Sequence, residues 1–217
     1  MKEKSTQKKI LATSIALFNE KGYKNVTLMD IARNCEISTG NLNYHYKKKD
    51  NLIVSIYELF RDELEQVLAQ YRVFPDSKAF DNQIVTHFQF QIRYRFFYLD
   101  MLEIFRDFPR IAKMHSQYIQ NEVNNAKAII DYGVGRGIIQ QEPYLHAYDT
   151  LAQNLWITLF FSLLQHKIRN IDLFEKDVFQ VRRNVWHLLI PHFTQKGVQE
   201  LKDFGIVKES GSVLEII

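Results

Sequence analysis

The chain has 217 residues, of which 46% are hydrophobic and 24% charged, as expected for a globular protein with a core. Its 8 glycines and 4 prolines are few, which argues against β-sandwiches and β-barrels because those folds need many turns. The single cysteine, Cys35, excludes an intrachain disulfide and fits a reducing cytoplasm. The longest apolar run, Leu155 to Leu164, is too short to span a membrane, and we expect no signal peptide. The net charge of +3 is uneven, because residues 1–49 carry ten Lys and Arg against four acids, a pattern typical of a phosphate-binding head but also open to chance clustering.

Helical periodicity and capping residues predict four helices in the first third of the chain. Thr27 and Asp30 resemble a capping box, and Ser38 is a second favourable N-cap. The helices are expected in this order: one from Thr6 to Glu20 that Gly22 ends, one after Thr27, one of barely two turns from Ser38 to Tyr46, and one from Lys48 to Tyr71.

Prolines and glycines punctuate the rest of the chain. Pro75 predicts a break between head and body, and Gly133, Gly135 and Gly137 predict a helix end followed by a corner. Helices are expected to open at Asp76/Ser77, Asp107–Pro109 and Glu142–Pro143, with long apolar helices over about 144–168 and 173–192 and a short one over 198–204 before a tail. Because we find no convincing strand, the expected fold class is all-α.

Short helices joined by a tight turn and followed by a long helix 4 describe a helix-turn-helix head. The order and spacing of six segments within residues 8–55 add a second, more specific signal. The segments are Ile10-Leu11, Ala16-Leu17-Phe18, Lys21-Gly22-Tyr23, Thr27–Ala32, Ile37–Tyr46 and Lys49–Leu52. They closely resemble the N-terminal signature of the TetR family of transcriptional regulators.

The resemblance implies a homodimeric, sequence-specific DNA-binding regulator that acts as a repressor. It implies a helix-turn-helix domain over residues 1–50, a helix 4 that links to about residue 73, and a larger effector-binding and dimerisation domain over 74–217. The body itself matches only in its number of helices and in a weak ending, Leu188–Thr194.

Two residues depart from the pattern of the family. The family usually has Gly at the position of Glu36, and we expect Glu36 to be tolerated if its backbone keeps a negative φ. It usually has Tyr at the position of Asn43, whose amide offers a bidentate pair to adenine instead. The operator is therefore expected to differ from those of Tyr-bearing relatives.

The candidate DNA-binding residues surround the turn and the third helix. Helix N-termini can seat phosphates, and lysines at the start of helix 4 would release counterions from the DNA backbone. Base contacts are expected chiefly from Thr39, Asn41 and Asn43, with Gly40 allowing close approach to the groove or relieving packing against helix 2. Contacts with the DNA backbone are expected from Thr27, Ser38, Tyr44, His45, Lys48 and Lys49, with Lys47 beside them.

Each of these residues also has a purely structural interpretation. Thr27 and Ser38 would cap helices in any helical protein, and the lysines would ordinarily form a solvated face. Tyr44 and Tyr46 can fill the core between helices 1 and 4, which we favour for Tyr46. The combination and spacing favour DNA binding.

A single recognition helix reads only a few base pairs, so a palindromic operator and a homodimer are expected, with the two helices about 34 Å or more apart. The family resemblance implies that the last two long helices form the dimer interface. The candidates are Leu155, Leu159, Leu163, Val178, Val181, Val185 and Leu188. The alternative is that they fill the core of the monomer.

Aromatic residues crowd the segment from Phe88 to Met101. Four helices here are apolar on more than one face, which leaves room for an enclosed effector pocket. The candidate pocket residues are Phe88, Tyr94, Phe97, Met101, Tyr118, Trp156 and Phe160, and ordinary core packing is the alternative for each. Because few acids fall among these faces, a neutral or weakly anionic hydrophobic effector is favoured over a large multivalent cation.

No motif predicts an enzyme, a cofactor or a metal site. Gly133–Gly137 resembles a nucleotide-binding loop but lacks the preceding strand, and His187 and His192 have the wrong spacing for a shared metal. The alternative function is a helical lipid- or partner-binding protein without specific DNA recognition. Salt-dependent, sequence-selective DNA binding would separate the two functions.

Overall fold

The computed structural model describes residues 2–69, 76–169, 177–211 and 213–217. The regular secondary structure of these residues is helical apart from one hairpin. The all-α prediction is therefore confirmed. The helices are α1 (Lys2–Lys21), α2 (Leu28–Asn34), α3 (Thr39–His45), α4 (Lys49–Ala69), α5 (Ser77–Arg93), α6 (Arg95–Leu99), α7 (Met101–Asp107), α8 (Pro109–Gly135), α9 (Ala147–Phe160), α10 (Ser162–Ile168), α11 (Asp177–Leu189) and α12 (Gln195–Asp203). Strands β1 (Val207–Ser210) and β2 (Val213–Ile216) follow, and 3₁₀ turns occupy Tyr23–Asn25 and Ile190–His192.

The chain forms two compact units. The first comprises Met1–Gln66 and Arg93–His115, and the second comprises Val67–Ile92 and Ser116–Ile217. The predicted domains, 1–50 and 74–217, concern roles rather than packing and stay a prediction. The predicted break at Pro75 and the predicted end of helix 4 at Tyr71 lie outside the described residues. No helix in the described ranges combines the length and apolarity needed to cross a bilayer.

Local caps define the helices of the head as the sequence predicts. The hydroxyl of Thr27 accepts a hydrogen bond from the Asp30 amide, and the Asp30 carboxylate accepts one from the Thr27 amide, which completes the predicted capping box at α2. Ser38 caps α3 through the amide of Asn41. Helix α1 begins at Lys2, four residues earlier than expected, and Gly22 follows its end with φ +77°.

The turn between α2 and α3 corrects one expectation. Glu36 adopts a left-handed conformation with φ +55°, not the negative φ that we expected for a tolerated side chain. The reason is the end of α2, where the Ile37 amide donates back to the Ala32 carbonyl and the chain must reverse through a left-handed residue. Glycine adopts this conformation at no steric cost, which explains its preference at this position.

The core of the first unit draws on α4 and on residues 93–115. The ring centroids of Phe60, in α4, and Phe97 are 4.7 Å apart, and those of Phe97 and His115 are 5.2 Å apart. All three side chains are buried. Helix α1 adds Phe18, which contacts Phe96 at 5.3 Å. Residues 93–115, which were predicted to belong to the body, therefore share a core with the head.

The second unit packs α9 against α11 around a buried tryptophan, Trp186. The predicted helix over 144–168 is wrong in two respects. It begins at Ala147 rather than after Pro143, because His146 is left-handed (φ +66°) and the Glu142 carboxylate accepts from the Tyr148 amide. The predicted helix is also interrupted at Phe161, between α9 and α10.

The break between α9 and α10 follows from competition for one carbonyl. The Leu159 carbonyl accepts from the Gln91 side chain at 2.8 Å and from the Ser162 hydroxyl at 2.7 Å. Side chains that insert at a helical carbonyl interrupt the regular ladder of backbone bonds. The predicted helix over 173–192 corresponds to α11 and a 3₁₀ turn, and residues 173–176 lie outside the described part of the chain.

The expected C-terminal tail is instead a β-hairpin, so the prediction of no strand is wrong. Strands β1 and β2 pair antiparallel from Val207 opposite Ile216 to Ser210 opposite Val213. Val207, Ile216 and the preceding Ile206 are buried in the core of the second unit. Each strand has only four residues, too few for a clear alternating pattern.

Candidate nucleic-acid interface

Helix α3 is buried along one side and exposed along the other. Leu42 is fully buried, and Tyr46, which follows the helix, is buried with its hydroxyl accepting from the Gln7 side chain at 3.2 Å. The structural interpretation of Tyr46 therefore applies. The exposed residues of this segment are Ser38, Thr39, Gly40, Asn41, Asn43 and Tyr44. The polar face that we predicted to read bases is thus turned to solvent by two buried anchors.

Gly40 has room for a larger side chain. A Cβ added at this position would meet no atom closer than the Ser38 hydroxyl oxygen, at 3.9 Å. Packing against α2 therefore does not require glycine at this position.

Two aromatic rings lie together near the end of α3. Tyr44 is 73% exposed, and its ring meets that of His45 edge to face with centroids 5.3 Å apart. His45 is half-buried. The pair lies beside the exposed polar face of α3.

The Thr27 side chain is already engaged at the start of α2. Its hydroxyl donates to the Asp30 carboxylate at 2.6 Å and accepts from the Asp30 amide at 3.1 Å. The hydrogen bond from the Thr27 hydroxyl, followed by that from its backbone, lowers the pKa of Asp30 below its ordinary value. Thr27 is exposed but sits beside a carboxylate that stays ionised, so its cap is its clearest role.

The three lysines at the start of α4 differ in their surroundings. Lys47 and Lys48 are exposed, whereas Lys49 is half-buried. The Lys49 ammonium donates to the Tyr23 carbonyl and lies 5.2 Å from the centre of the Tyr23 ring, and burial lowers its pKa. Lys49 is therefore held inside the head rather than offered to phosphate, and Lys47 replaces it as the exposed candidate. The sequence carries no signal for this difference.

The predicted pocket residues are divided between the two units. Tyr94, Phe97 and Met101 belong to the first unit, where Tyr94 donates to Glu63 at 2.7 Å. Phe88, Tyr118, Trp156 and Phe160 belong to the second. Of the seven, Trp156 is the one found among the described residues that line a cavity of the second unit between α5, α8, α9 and α11.

This cavity has a volume of about 110 Å³ and is formed by α5, α8, α9 and α11. Its lining includes Phe80, Ile84, His87, Ile130, Trp156 and Leu159. Apolar residues on the inner faces of four helices were expected, but they come from positions that ordinary periodicity does not distinguish from core.

The predicted dimer residues are mostly core of the second unit, which is the alternative that the sequence left open. Leu155, Leu163, Val181 and Val185 are buried, and Leu159, Val178 and Leu188 are half-buried. The outward faces of the same helices instead expose Ile157, Ile168 and Phe179, with Arg183 and His187 beside Phe179. The spacing Ile157, Phe161, Leu164, Ile168 is a helical stripe that could have identified this face.

Comparison with known proteins places these features in a family. The family described as "Bacterial regulatory proteins, tetR family" matches residues 10–56, and the TetR family described as "Bacterial transcriptional repressor" matches residues 59–201. The crystal structure of a TetR-family transcriptional regulator from Marinobacter aquaeolei VT8 superimposes with a TM-score of 0.77 at 24% identity, covering 91% of this chain and 96% of the other.

Two relatives agree with this placement. The Probable HTH-type transcriptional regulator YttP of Bacillus subtilis is 25% identical over 138 residues, covering 59% of this chain and 65% of YttP. The HTH-type transcriptional repressor KstR2 of Mycobacterium tuberculosis is 33% identical over 75 residues, covering 35% of this chain and 36% of KstR2. The match spans less than two thirds of the length of each of these relatives. Since the two family matches follow one another along most of the sequence, the chain belongs to the TetR family of bacterial transcriptional regulators.

Proposed function

We propose that this chain represses transcription by binding an operator in double-stranded DNA through α3. The observation that carries the proposal is the one-sidedness of α3, in which Leu42 and Tyr46 anchor the segment while its polar face is exposed. A rigidly held helix with a free polar face has the shape and chemistry needed to enter a major groove. Repressors among the relatives and in the family description support the direction of regulation.

Within this proposal, side chains divide into those that read bases and those that hold the backbone. Thr39, Asn41 and Asn43 present hydroxyl and amide groups for base edges, and Gly40 lets the helix backbone come close. Lys47 and Lys48 supply ammonium groups for phosphates, with Tyr44 and His45 at the side of the groove. A protein with this role works on chromosomal DNA, in the cytoplasm.

We further propose that two copies associate through the outward faces of α9, α10 and α11. A single α3 reads too few base pairs for a specific operator, so a second copy related by a two-fold axis is needed. Ile157, Ile168 and Phe179 are large apolar side chains exposed on this face, with Ile168 71% exposed. Phe179→Glu should shift sedimentation toward the monomer, whereas Tyr132→Glu, at an exposed aromatic of α8, should not.

The cavity of the second unit is the proposed effector site. An effector that prefers the conformer with low operator affinity by about 1–3 kcal/mol would weaken DNA binding about 5–150-fold. Helices α5 and α8, which line the cavity, also contribute residues to the first unit. They therefore offer a covalent route for such coupling.

The deciding experiment is selection of DNA fragments by the purified protein, followed by sequencing. We expect a palindromic consensus, lost preference at one position per half-site for Asn43→Ala, and an unchanged consensus for Asn124→Ala, an exposed asparagine of α8. The absence of any consensus would favour the alternative, a lipid- or partner-binding helical protein.

A further inference from the structure

The cavity of the second unit is lined mostly by apolar side chains. Its polar lining residues are Asp76, Ser77, Gln83, His87, Glu122 and Asn125. Its volume of about 110 Å³ is of the order of cavities that hold a benzene-sized molecule. Phe80, Ile84 and Ile130 belong to the apolar part of the lining, together with Trp156. A molecule that fills it is therefore small and mostly apolar.

His87 is the unusual member of this lining. It is 7% exposed, and its Nε2 atom has no hydrogen-bond partner within the described ranges. Burial lowers its pKa to about 4, so the ring is neutral near pH 7. A neutral imidazole carries one N–H donor and one acceptor nitrogen, and leaving such a group buried and unpaired costs free energy.

A second buried histidine in the same unit provides the contrast. His166 is also 7% exposed, but its Nδ1 lies 2.7 Å from the Ser162 carbonyl oxygen. Burial of a histidine in this unit thus does not by itself leave the ring unpaired. Of these two histidines, His87, the one with an unpaired ring nitrogen, is the one that lines the cavity.

The charges around the cavity exclude an anion. No Lys or Arg is among its described lining residues, and the two charged ones are the carboxylates Asp76 and Glu122. Both acids already have partners, since Asp76 accepts from the Ala79 amide at 2.6 Å and Glu122 accepts from Asn125 at 3.3 Å. The weakly anionic effector allowed by the sequence is therefore disfavoured, and a cation would lose its hydration against a lining that is mostly apolar.

We propose that this cavity binds an uncharged molecule of about the size of one aromatic ring, bearing a single hydroxyl-type group that pairs with the His87 imidazole. The proposal rests on the proposed function insofar as this molecule acts as the effector. Binding itself does not depend on DNA.

Three ring compounds test the chemistry by calorimetry on the full chain. Benzene offers only apolar surface, phenol adds one hydroxyl, and benzoate adds a charge. We expect phenol to bind about 3–10-fold more tightly than benzene, as one added neutral hydrogen bond gives, and benzoate to show no measurable binding. Equal affinity for phenol and benzene, or binding of benzoate as strong as that of phenol, would overturn the proposal.

Two variants assign the hydrogen bond. His87→Phe keeps an aromatic ring but removes the hydrogen bond, so phenol should bind this variant no more tightly than benzene does. Ala126→Phe, at another lining residue, should abolish binding of both by filling the cavity. His87→Leu provides the same test if His87→Phe does not fold, because the leucine side chain also offers no hydrogen bond. Retention of the phenol preference in either His87 variant would contradict the assignment.

Operator binding of the wild-type protein, measured without any probe, separates the two claims. Specific DNA binding without binding of phenol or benzene would sink this inference and leave the repressor proposal standing. Binding of phenol without specific DNA binding would sink the repressor proposal and leave this inference standing.

Discussion

The indole nitrogen of Trp186 donates a hydrogen bond of 2.8 Å to the carboxylate of Asp81, which is itself 4% exposed. The guanidinium of Arg182 donates to the same oxygen. A buried carboxylate that serves two donors leaves both unsatisfied when it is removed.

Asp81→Ala should therefore lower the free energy of unfolding by about 3–5 kcal/mol, measured by urea denaturation. The matched control is Asp131→Ala, which removes an exposed carboxylate whose partner is Lys127 at 2.5 Å. Exposed pairs contribute at most about 1 kcal/mol, so the control should change little. Equal effects of the two substitutions would mean that the buried network does not stabilise the fold.

Gly40→Ala should separate folding from DNA binding. Because an added Cβ meets nothing within 3.9 Å, alanine should keep or raise the free energy of unfolding by up to about 1 kcal/mol. Operator affinity should fall, since the methyl group separates the helix backbone from the groove. Gly135→Ala, in equally open space at the end of α8, should leave operator affinity unchanged. An unaltered affinity for Gly40→Ala would show that α3 does not approach DNA closely.

Glu36→Gly should raise the free energy of unfolding by about 0.5–1 kcal/mol, because glycine accepts the left-handed backbone at φ +55°. It should also strengthen binding to all DNA sequences by removing a negative charge. Glu36→Ala removes the charge and keeps the strained Cβ, so it should strengthen DNA binding without the gain in stability. The ion pair with Lys9, at 3.9 Å and exposed, adds little to either comparison.

Lys48→Ala and Lys49→Ala should have opposite signatures. Lys48 is exposed, so its loss should weaken binding to all DNA sequences and reduce the salt slope by about 1, with normal stability. Lys49 donates to the Tyr23 carbonyl, so its loss should chiefly lower the melting temperature of the protein. Parallel salt titrations and thermal scans distinguish the two. If Lys49→Ala kept a normal melting temperature but reduced the salt dependence of DNA binding, Lys49 would be a phosphate contact instead.

The stability of the second unit should depend on pH through His87. The unfolded chain takes up a proton on this ring near pH 6.5, while the folded chain does so only near pH 4. The contribution of the neutral His87 ring to folding stability is therefore complete above pH 6.5 and is lost as the pH falls toward 4. When the pH falls from 7 to 4.5, the free energy of unfolding should decrease in both proteins. The decrease should be about 2–3 kcal/mol smaller for His87→Phe than for the parent. Parallel curves for the two proteins would exclude a neutral buried ring.

Features that depend on neighbours in the sequence were predictable. The capping box of Thr27 and Asp30 and the N-cap of Ser38 involve residues three apart, and the helix opening at Pro109 uses a proline at its first position. The resemblance of the head was equally local, because its motif occupies one continuous stretch that the family match over residues 10–56 confirms.

Features that depend on distant residues were decided by tertiary structure. Asp81 meets Trp186 across 105 positions, and the Gln91 side chain that helps break the helix at Phe161 reaches a carbonyl 68 positions away. The burial of Lys49, like the choice of which face of α9 is core, has the same origin. Short-range hydrogen bonds and helical period act between residues that the chain itself holds close, so the sequence determines them directly. Which side chains meet in a core or border a cavity depends on the packing of several helices at once, and that packing exists only in the folded chain.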